Sequence, residues 1–298
     1  MRLWGGEAMS WHVGIVTVFV LAASFLSLTT PVSSVQKPPF LMVNWFGDQG
    51  KNQLEQEARL ITVKILSSPR EMGSNNRLLD SKNRPLGSGI LFYKNNKNNL
   101  TSTYGVITNN HVLQAGEAPY FIQTPDGKIQ RANLVVRKKQ LRGNDLALLE
   151  FVSESEYKMA TKSNQQPTKG DSVIAAGFPL KNSQSKSGGF VIKAGKIELV
   201  LDKALEGGYR IGSTNDIEKG MSGGPLLNSA GELIGINGLH ANPIWGDPYV
   251  FEDGSYPTDA QREQISQYSW GIPLETVKRL LINKVTLVEV RSRSIAKP

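Results

Sequence analysis

The sequence Gly-Met-Ser-Gly-Gly-Pro at residues 220–225 places glycines before and after a serine, Ser222. Glycines allow a tight turn and let a reacting group approach the hydroxyl without meeting a Cβ atom. Two further strings precede it: Thr-Asn-Asn-His-Val, which contains His111, and Gly-Asn-Asp-Leu-Ala at 143–147, which contains Asp145. A histidine, an aspartate and a serine are residue types that can act together as base, orienting acid and nucleophile.

The order of these three residues separates two possible folds. Gly-x-Ser-x-Gly also occurs at the nucleophile of α/β-hydrolases, esterases and lipases included, where the order is Ser, acid, His. The only histidine after Ser222 is His240, the only acid between them is Glu232, and the surrounding pattern is not an alternation of strands and helices. The order His111, Asp145, Ser222 is instead that of the chymotrypsin type.

The charge of the chain is basic but does not indicate a nucleic-acid partner. Across 298 residues, 34 Lys and Arg oppose 26 Asp and Glu, which gives a formal net charge of +8. Such a balance can favour acidic partners, anionic membranes or nucleic acid. The densest basic run, residues 137–139, has no interleaved aromatic residues and matches no nucleic-acid module, so we expect a solvated loop there.

Cysteine and histidine usage excludes several chemistries. The chain has no cysteine and only three histidines, at 12, 111 and 240, with no His-Glu-x-x-His string. Disulfides, a thiolate nucleophile and a cysteine-ligated metal are impossible, and a histidine-based zinc site is not expected. The sequence therefore predicts neither a metal nor a cofactor.

The first residues have the pattern of a targeting segment. Residues 13–28 (VGIVTVFVLAASFLSL) carry no charge, follow a weakly basic start and precede the turn-forming TTPVSS at 29–34. This pattern predicts a signal peptide over residues 1–34 and export to the periplasm or the exterior of a bacterial cell. The alternative is an uncleaved anchor at 13–28, the one case in which we expect contact with a membrane.

Short strand candidates separated by turn residues fill most of the rest. This pattern, with few long helical stretches, indicates an all-β sandwich or barrel. Residues 52–66 are consistent with a short helix that runs into a strand, and residues 274–282 predict a late helix with an apolar face. The strand candidates are 89–93, 104–108, 120–124, 128–136, 146–151, 172–176, 190–201, 209–212, 225–227 and 232–239.

Taken together, the motifs resemble trypsin-like serine peptidases of the chymotrypsin fold, closest to secreted, cysteine-free bacterial members with a single peptidase domain. Besides the three strings above, the matching ones are Gly87-Ser-Gly-Ile-Leu, Ala176-Gly-Phe-Pro, Gly231-Glu-Leu-Ile-Gly-Ile and Trp270-Gly-Ile-Pro. The resemblance implies two six-stranded antiparallel β-barrels with the site in the cleft between them. It also implies hydrolysis of peptide bonds in a polypeptide substrate through an acyl-enzyme.

The resemblance also suggests how the chain is divided. We expect a linker or N-terminal arm at 35–86 and a peptidase domain at 87–298, with a first barrel over about 52–160 and a second over about 170–273. The late helix would follow the second barrel. We expect no PDZ domain, for which the chain leaves no room, and a monomer.

The roles expected for individual residues follow from the chemistry of such a site. His111 would take the proton of Ser222, Asp145 would orient His111, and the N–H groups of Gly220 and Ser222 would bind the oxyanion. The strand at 232–239 would pair with the substrate backbone. Met221 departs from the family pattern, because some members carry there an acid that pairs with a freshly cut N-terminus.

The sequence offers several candidate residues for selecting the substrate side chain next to the cleaved bond. Asp216 lies six residues before Ser222, where trypsin-like enzymes hold a buried acid for Arg or Lys, but Glu218 would serve equally well. Glutamyl endopeptidases use a histidine where Asn237 stands, next to Gly238 and three residues before His240. We therefore take Asp216, Asn237 and Gly238 as candidate substrate-binding residues. A peptidase-fold binding protein without activity remains the alternative function.

Overall fold

The computed structural model of the chain describes residues 47–68, 83–97, 100–180, 189–241 and 249–281. The predicted leader at 1–34 and the alternative anchor at 13–28 lie outside these residues. Within the described ranges, no helix combines the length and apolar composition that crossing a membrane requires.

The first half of the described chain forms a closed antiparallel barrel. Its strands are hydrogen-bonded in the order β1-β2-β3-β6-β5-β4, with β1 pairing both β2 and β4. One helix precedes the barrel, and a five-residue helix follows β3. The elements are α1 Gly47–Ile61, β1 Thr62–Ser67, β2 Arg84–Asn96, β3 Ser102–Thr108, α2 Asn110–Gln114, β4 Tyr120–Gln123, β5 Ile129–Val136 and β6 Ala147–Ser153.

The second half forms another closed antiparallel barrel, in the order β10-β11-β12-β9-β8-β7. A helix, α4, covers residues 274–281 directly after its last strand. The prediction of two six-stranded antiparallel barrels followed by a helix is confirmed. The elements are β7 Ser172–Gly177, β8 Val191–Leu205, β9 Tyr209–Ser213, β10 Pro225–Asn228, β11 Leu233–Leu239, α3 Asp259–Ser266 and β12 Ser269–Pro273.

Strand alternation places apolar side chains on both faces of the barrel walls. In β3, Val106 belongs to the apolar interior of the first barrel, whereas its neighbour Ile107 belongs to a cluster that also contains Ala176 and Ile236 of the second barrel. Successive side chains of a strand point to opposite faces, so one strand supplies both cores. The cluster shared by the two barrels, which we call the seam, packs one barrel against the other.

Two helices add to the seam. The buried residues Ala58 and Ile61 of α1 belong to it, and so do Leu274 and Val277 of α4. The apolar face predicted for the late helix is thus buried. Both helices cover apolar surface that the barrels alone would leave in water.

Some elements differ from the sequence-based expectation. Strand β12 and helix α3 were not among the predicted elements, and β2 and β8 are longer than their candidates. All five residues of β12 are buried, so it has no polar–apolar alternation to detect. Strand β1 lies inside the segment 35–86, and the domain boundaries themselves stay predictions.

Replacing Ile107 by Ala is expected to lower the free energy of unfolding by about 2–5 kcal/mol, because it leaves a cavity in the seam. Urea denaturation measures this change. The control is Ile129→Ala in β5, whose side chain is 51% exposed, and we expect a change within about 0.5 kcal/mol. Equal effects of the two substitutions would contradict the assignment of Ile107 to the seam.

Candidate active site

His111 and Asp145 meet because their strands are neighbours. Residues Thr108 at the end of β3 and Ala147 at the start of β6 are directly paired. His111 follows the first of these by three residues and Asp145 precedes the second by two. Nδ1 of His111 lies 2.5 Å from Oδ2 of Asp145, and the backbone N–H of His111 donates to Oδ1 at 2.9 Å. The carboxylate thereby holds both the ring and the backbone of the histidine.

The carboxyl group of Asp145 is buried and fully hydrogen-bonded. Its Oδ2 also accepts from the hydroxyl of Tyr209 at 2.5 Å. Burial raises the pKa of Asp145, but the hydrogen bond and charge of His111 and the Tyr209 hydroxyl oppose it, so that the pKa lies below its ordinary value. The group is therefore ionised at neutral pH, and its Oδ2 accepts the Nδ1–H of the histidine.

The backbone of Asp145 is held as firmly as its side chain. Its N–H donates to the carbonyl of Gly207 at 2.8 Å, and its carbonyl accepts from Nδ2 of Asn109 at 2.8 Å. Asn109 belongs to the first barrel and Gly207 to the second. Asp145 is thus tied to both barrels.

Tyr209 reaches Asp145 through space that a glycine leaves open. A Cβ atom on Gly238 would lie 2.3 Å from the Tyr209 hydroxyl oxygen. Any other residue at this position would displace the tyrosine or its neighbours. Gly238 therefore contributes to the site by its lack of a side chain.

The turn that carries Ser222 is fixed to the end of β11. The N–H of Gly223 donates to the carbonyl of Asn237 at 2.8 Å, and the N–H of Asn237 donates to the carbonyl of Gly224 at 2.9 Å. The Asn237 side chain donates from Nδ2 to the carbonyl of Pro225 at 2.7 Å. Asn237 thus supports the turn with its backbone and its side chain.

Two backbone N–H groups of this turn, those of Gly220 and Ser222, do not donate to another described residue. The carbonyl of Lys219 accepts from the N–H of Leu180 at 2.8 Å. Because the C=O and N–H of a trans peptide point in opposite directions, the N–H of Gly220 is directed away from Leu180. Gly220 has a φ of +100°, which few other residues adopt. Among the described residues, neither Gly220 N–H nor Ser222 N–H has a hydrogen-bond acceptor.

Met221, between these two donors, anchors the turn by apolar packing. Its side chain is completely buried and joins Ile211, Ile217 and Leu226 in the core of the second barrel. Its N–H donates to the carbonyl of Glu218 at 2.9 Å. An apolar side chain thus holds the turn at the position where some trypsin-like peptidases carry an acid.

The hydroxyl of Ser222 donates to the carbonyl of Gly238 at 3.0 Å. Among the described residues, no hydrogen bond joins Ser222 to His111. Beyond Asn237, β11 pairs with β12 through Leu239 and Trp270. On the opposite edge, next to Ser222, no strand pairs with residues 238–240 within the described chain.

Three supporting residues were missed by the sequence analysis: Tyr209, Asn109 and Ser88. Ser88 joins the first barrel to the Ser222 turn, because its hydroxyl donates to the carbonyl of Gly220 at 2.7 Å and its N–H donates to the carbonyl of Ser222 at 3.0 Å. The string Gly-Ser-Gly at 87–89 marked this region without indicating a role. For Tyr209 no signal distinguished it from an ordinary core tyrosine.

The candidate specificity residues differ in burial and in their partners. Asp216 is exposed, whereas a charge-assisted pocket base requires a buried carboxylate. Glu218 is half-buried and pairs with Lys193 at 2.7 Å. Asn237 is buried and is occupied in supporting the turn, and His240 is half-buried. The part of these residues in recognition stays a prediction.

The fold and the site together define a two-barrel protein of the chymotrypsin type. A model of the trypsin-like peptidase domain matches residues 87–236, about half of the sequence. The chain belongs to this family of trypsin-like peptidase domains.

Bacterial serine proteases are among the relatives. The periplasmic pH-dependent serine endoprotease DegQ of Escherichia coli is 35% identical over 153 residues, which cover 51% of this chain and 30% of DegQ. The serine endoprotease DegS of Haemophilus influenzae is 32% identical over 154 residues, covering 52% of this chain and 41% of DegS. This chain thus spans well under half of the length of these relatives.

Solved structures share the fold at low sequence identity. The serine endoprotease from Yersinia pestis superposes with a TM-score of 0.50 at 22% identity, covering 78% of this chain and 65% of that one. The HtrA-type protease AlgW with decapeptide gives a TM-score of 0.51 at 20% identity, covering 77% and 66%. At this level of sequence identity, these structural similarities show a shared fold and nothing more.

Replacing Asp145 by Asn is expected to reduce stability at neutral pH, and this cost should shrink in acid. Because the folded pKa of Asp145 lies below its unfolded value of about 3.9, the ionised carboxylate contributes stability that is present above about pH 4. That stability is lost as the pH falls through the folded pKa. Urea unfolding of both proteins at about pH 5.5 and about pH 3 measures the effect.

The exposed Asp216→Asn substitution is the control, with an expected change within about 0.5 kcal/mol at both pH values. A cost of Asp145→Asn that stayed constant or grew in acid would contradict the lowered pKa.

Proposed function

We propose that this protein is an exported serine endopeptidase in which His111, Asp145 and Ser222 form the catalytic triad. The observation that carries the proposal is the Asp145–His111 pair at the seam, beside a serine turn with two unoccupied N–H donors. Membership of the trypsin-like peptidase family and the serine protease relatives support it.

In the first step Ser222 attacks the carbonyl carbon of a peptide bond. Its proton passes to Nε2 of His111, because Nδ1 faces Asp145. Asp145 fixes the tautomer and stabilises the imidazolium that forms. His111 then protonates the leaving amine, and water repeats the sequence on the acyl-enzyme.

The N–H groups of Gly220 and Ser222 stabilise the charge that develops on the carbonyl oxygen. Preorganised donors of this kind contribute because they need no reorientation during the reaction, and removing one costs about 3–4 kcal/mol in the transition state. The buried Met221 and the hydrogen bonds of Ser88 hold these donors in place.

A polypeptide substrate binds in extended form along residues 238–240. This edge of β11 is open within the described chain, and an added strand satisfies its backbone groups. A substrate N–H that bonded to the carbonyl of Gly238 would compete with the Ser222 hydroxyl for this acceptor. Substrate binding thereby frees the hydroxyl to turn towards His111.

Export of the chain follows from the apolar pattern at residues 13–28, which resembles a signal peptide. The periplasmic relatives support export. We propose that the exported protein acts as a monomer without a metal or cofactor, since the triad chemistry requires neither.

A catalytically silent binding protein is the second candidate. The observation that favours it is the Ser222 hydroxyl, which donates to the carbonyl of Gly238 and makes no hydrogen bond to His111 within the described residues. Such a protein would still bind an extended peptide along residues 238–240 but would not cleave it.

A fluorophosphonate probe is expected to label the wild-type protein at Ser222, and Ser222→Ala is expected to lower kcat by about 10⁶-fold. Intact-mass spectrometry and hydrolysis of an unstructured protein measure the two effects. The control is Ser229→Ala in the exposed turn between β10 and β11, which should leave labelling and kcat unchanged. Absence of Ser222-dependent labelling would favour the silent binding protein.

Asp216→Ala is expected to change the preference for Arg or Lys over a neutral residue by less than about fivefold, because an exposed ion pair contributes at most about 1 kcal/mol. Profiling kcat/KM on matched peptides that differ only in the residue before the cleaved bond measures this ratio. A preference lost on substitution would instead establish Asp216 as the specificity residue.

A further inference from the structure

The hydrogen bond between Tyr209 and Asp145 crosses the seam between the barrels. Tyr209 is the first residue of β9 in the second barrel, whereas Asp145 precedes β6 in the first. The tyrosine hydroxyl donates to Oδ2, the same oxygen that faces Nδ1 of His111, and both distances are 2.5 Å. One carboxylate oxygen is thus held from two sides, by one donor from each barrel.

A second hydrogen bond ties Asp145 to the same part of the second barrel. Its N–H donates to the carbonyl of Gly207, two residues before Tyr209 in the turn between β8 and β9. The backbone and the side chain of Asp145 are therefore both attached to the start of β9. A carboxylate attached in this way has little freedom to rotate.

The environment of Tyr209 leaves its hydroxyl one role. The residue is 2% exposed, and burial together with the nearby Asp145 carboxylate raises its pKa well above the ordinary value. The hydroxyl therefore keeps its proton and donates a hydrogen bond to Asp145. One ion pair lies close to the turn between β8 and β9. Lys138 and Glu206, 3.5 Å apart, form this pair on the outer surface of the turn.

We propose that Tyr209 is a positioning residue of the active site, which holds the Asp145 carboxylate in the orientation that accepts the Nδ1–H of His111. The proposal rests on the proposed function, in which Asp145 orients the base. Tyr209 itself touches neither substrate nor the reacting atoms. It acts through Asp145, and Gly238 provides the space for its hydroxyl.

Loss of this hydroxyl would have two consequences. The carboxylate would lose one of the hydrogen bonds that restrain its rotation and would keep those from His111, so the histidine would be less well aligned for proton transfer. In addition, the Asp145 carboxylate would accept one hydrogen bond fewer. Its negative charge would then interact more strongly with the imidazole of His111 and stabilise the protonated form. Both effects act on the chemical step and leave the open edge at residues 238–240 unchanged.

The test is Tyr209→Phe, which removes the hydroxyl and keeps the ring. We expect kcat to fall about 10-fold to 100-fold, as for loss of a hydrogen bond to a charged group, with little change in KM. The acidic limb of the kcat pH profile should move to higher pH. An unchanged kcat and an unchanged acidic limb would overturn the proposal.

The matched control is Tyr104→Phe. Tyr104 is also completely buried, and its hydroxyl donates to the carbonyl of Ser155 at 2.9 Å in the first barrel, away from the triad. This variant should lose stability to a similar extent while it keeps kcat and the acidic limb of the wild type. If both variants lowered kcat equally, the effect of Tyr209 would be structural and the proposal would fail.

A measurement that needs no activity separates this proposal from the proposed function. In the Ser222→Ala protein, the low-field proton resonance of His111 Nδ1–H reports the hydrogen bond to Asp145. We expect this resonance to move or broaden on adding Tyr209→Phe and to stay unchanged on adding Tyr104→Phe. An unaltered resonance in the Tyr209 variant would overturn the proposal. If the wild type is not labelled at Ser222, the proposed function fails while this comparison still decides the role of Tyr209.

Discussion

Burial of apolar side chains on both faces of the barrel walls is the constraint on which the rest of this structure depends. Inward-facing residues such as Val106 fill one barrel, and outward-facing residues such as Ile107 pack against the other barrel. Close-packed protein interiors resist displacement of their side chains, so this packing fixes the position of one barrel relative to the other. The candidate triad has two members from the first barrel and one from the second. Its geometry therefore depends on packing that involves none of the three residues.

Polar groups that are buried between the two barrels need hydrogen-bond partners there, since an unpaired buried polar group costs free energy. Ser88 donates hydrogen bonds to two carbonyl groups of the second barrel. Asp145 is hydrogen-bonded to Gly207 and Tyr209. The hydrogen bonds that pair these buried groups also orient the Asp145 carboxylate and the turn that carries Ser222. Stability and alignment of the site thus have a common physical origin, which is why the matched tyrosine variants are informative.

Apolar packing and backbone hydrogen bonds hold the serine turn. Met221 occupies the core of the second barrel, while hydrogen bonds to Asn237 fix the turn on the side of β11. In the proposed mechanism the Ser222 hydroxyl must still turn towards His111, because it donates to the carbonyl of Gly238.

The sequence by itself determined the residue types of the site, their order along the chain and most of the strands, because strand alternation, turn residues and glycine strings are local patterns. Strand β12 was not predicted, because all of its residues are buried and its sequence shows no alternation of polar and apolar residues. Only the tertiary structure decided which buried groups support the candidate triad and the serine turn, since Tyr209 is 64 residues from Asp145 and Ser88 is 132 residues from Gly220. No local pattern records contacts at such separations, because they arise from the packing of one barrel on the other.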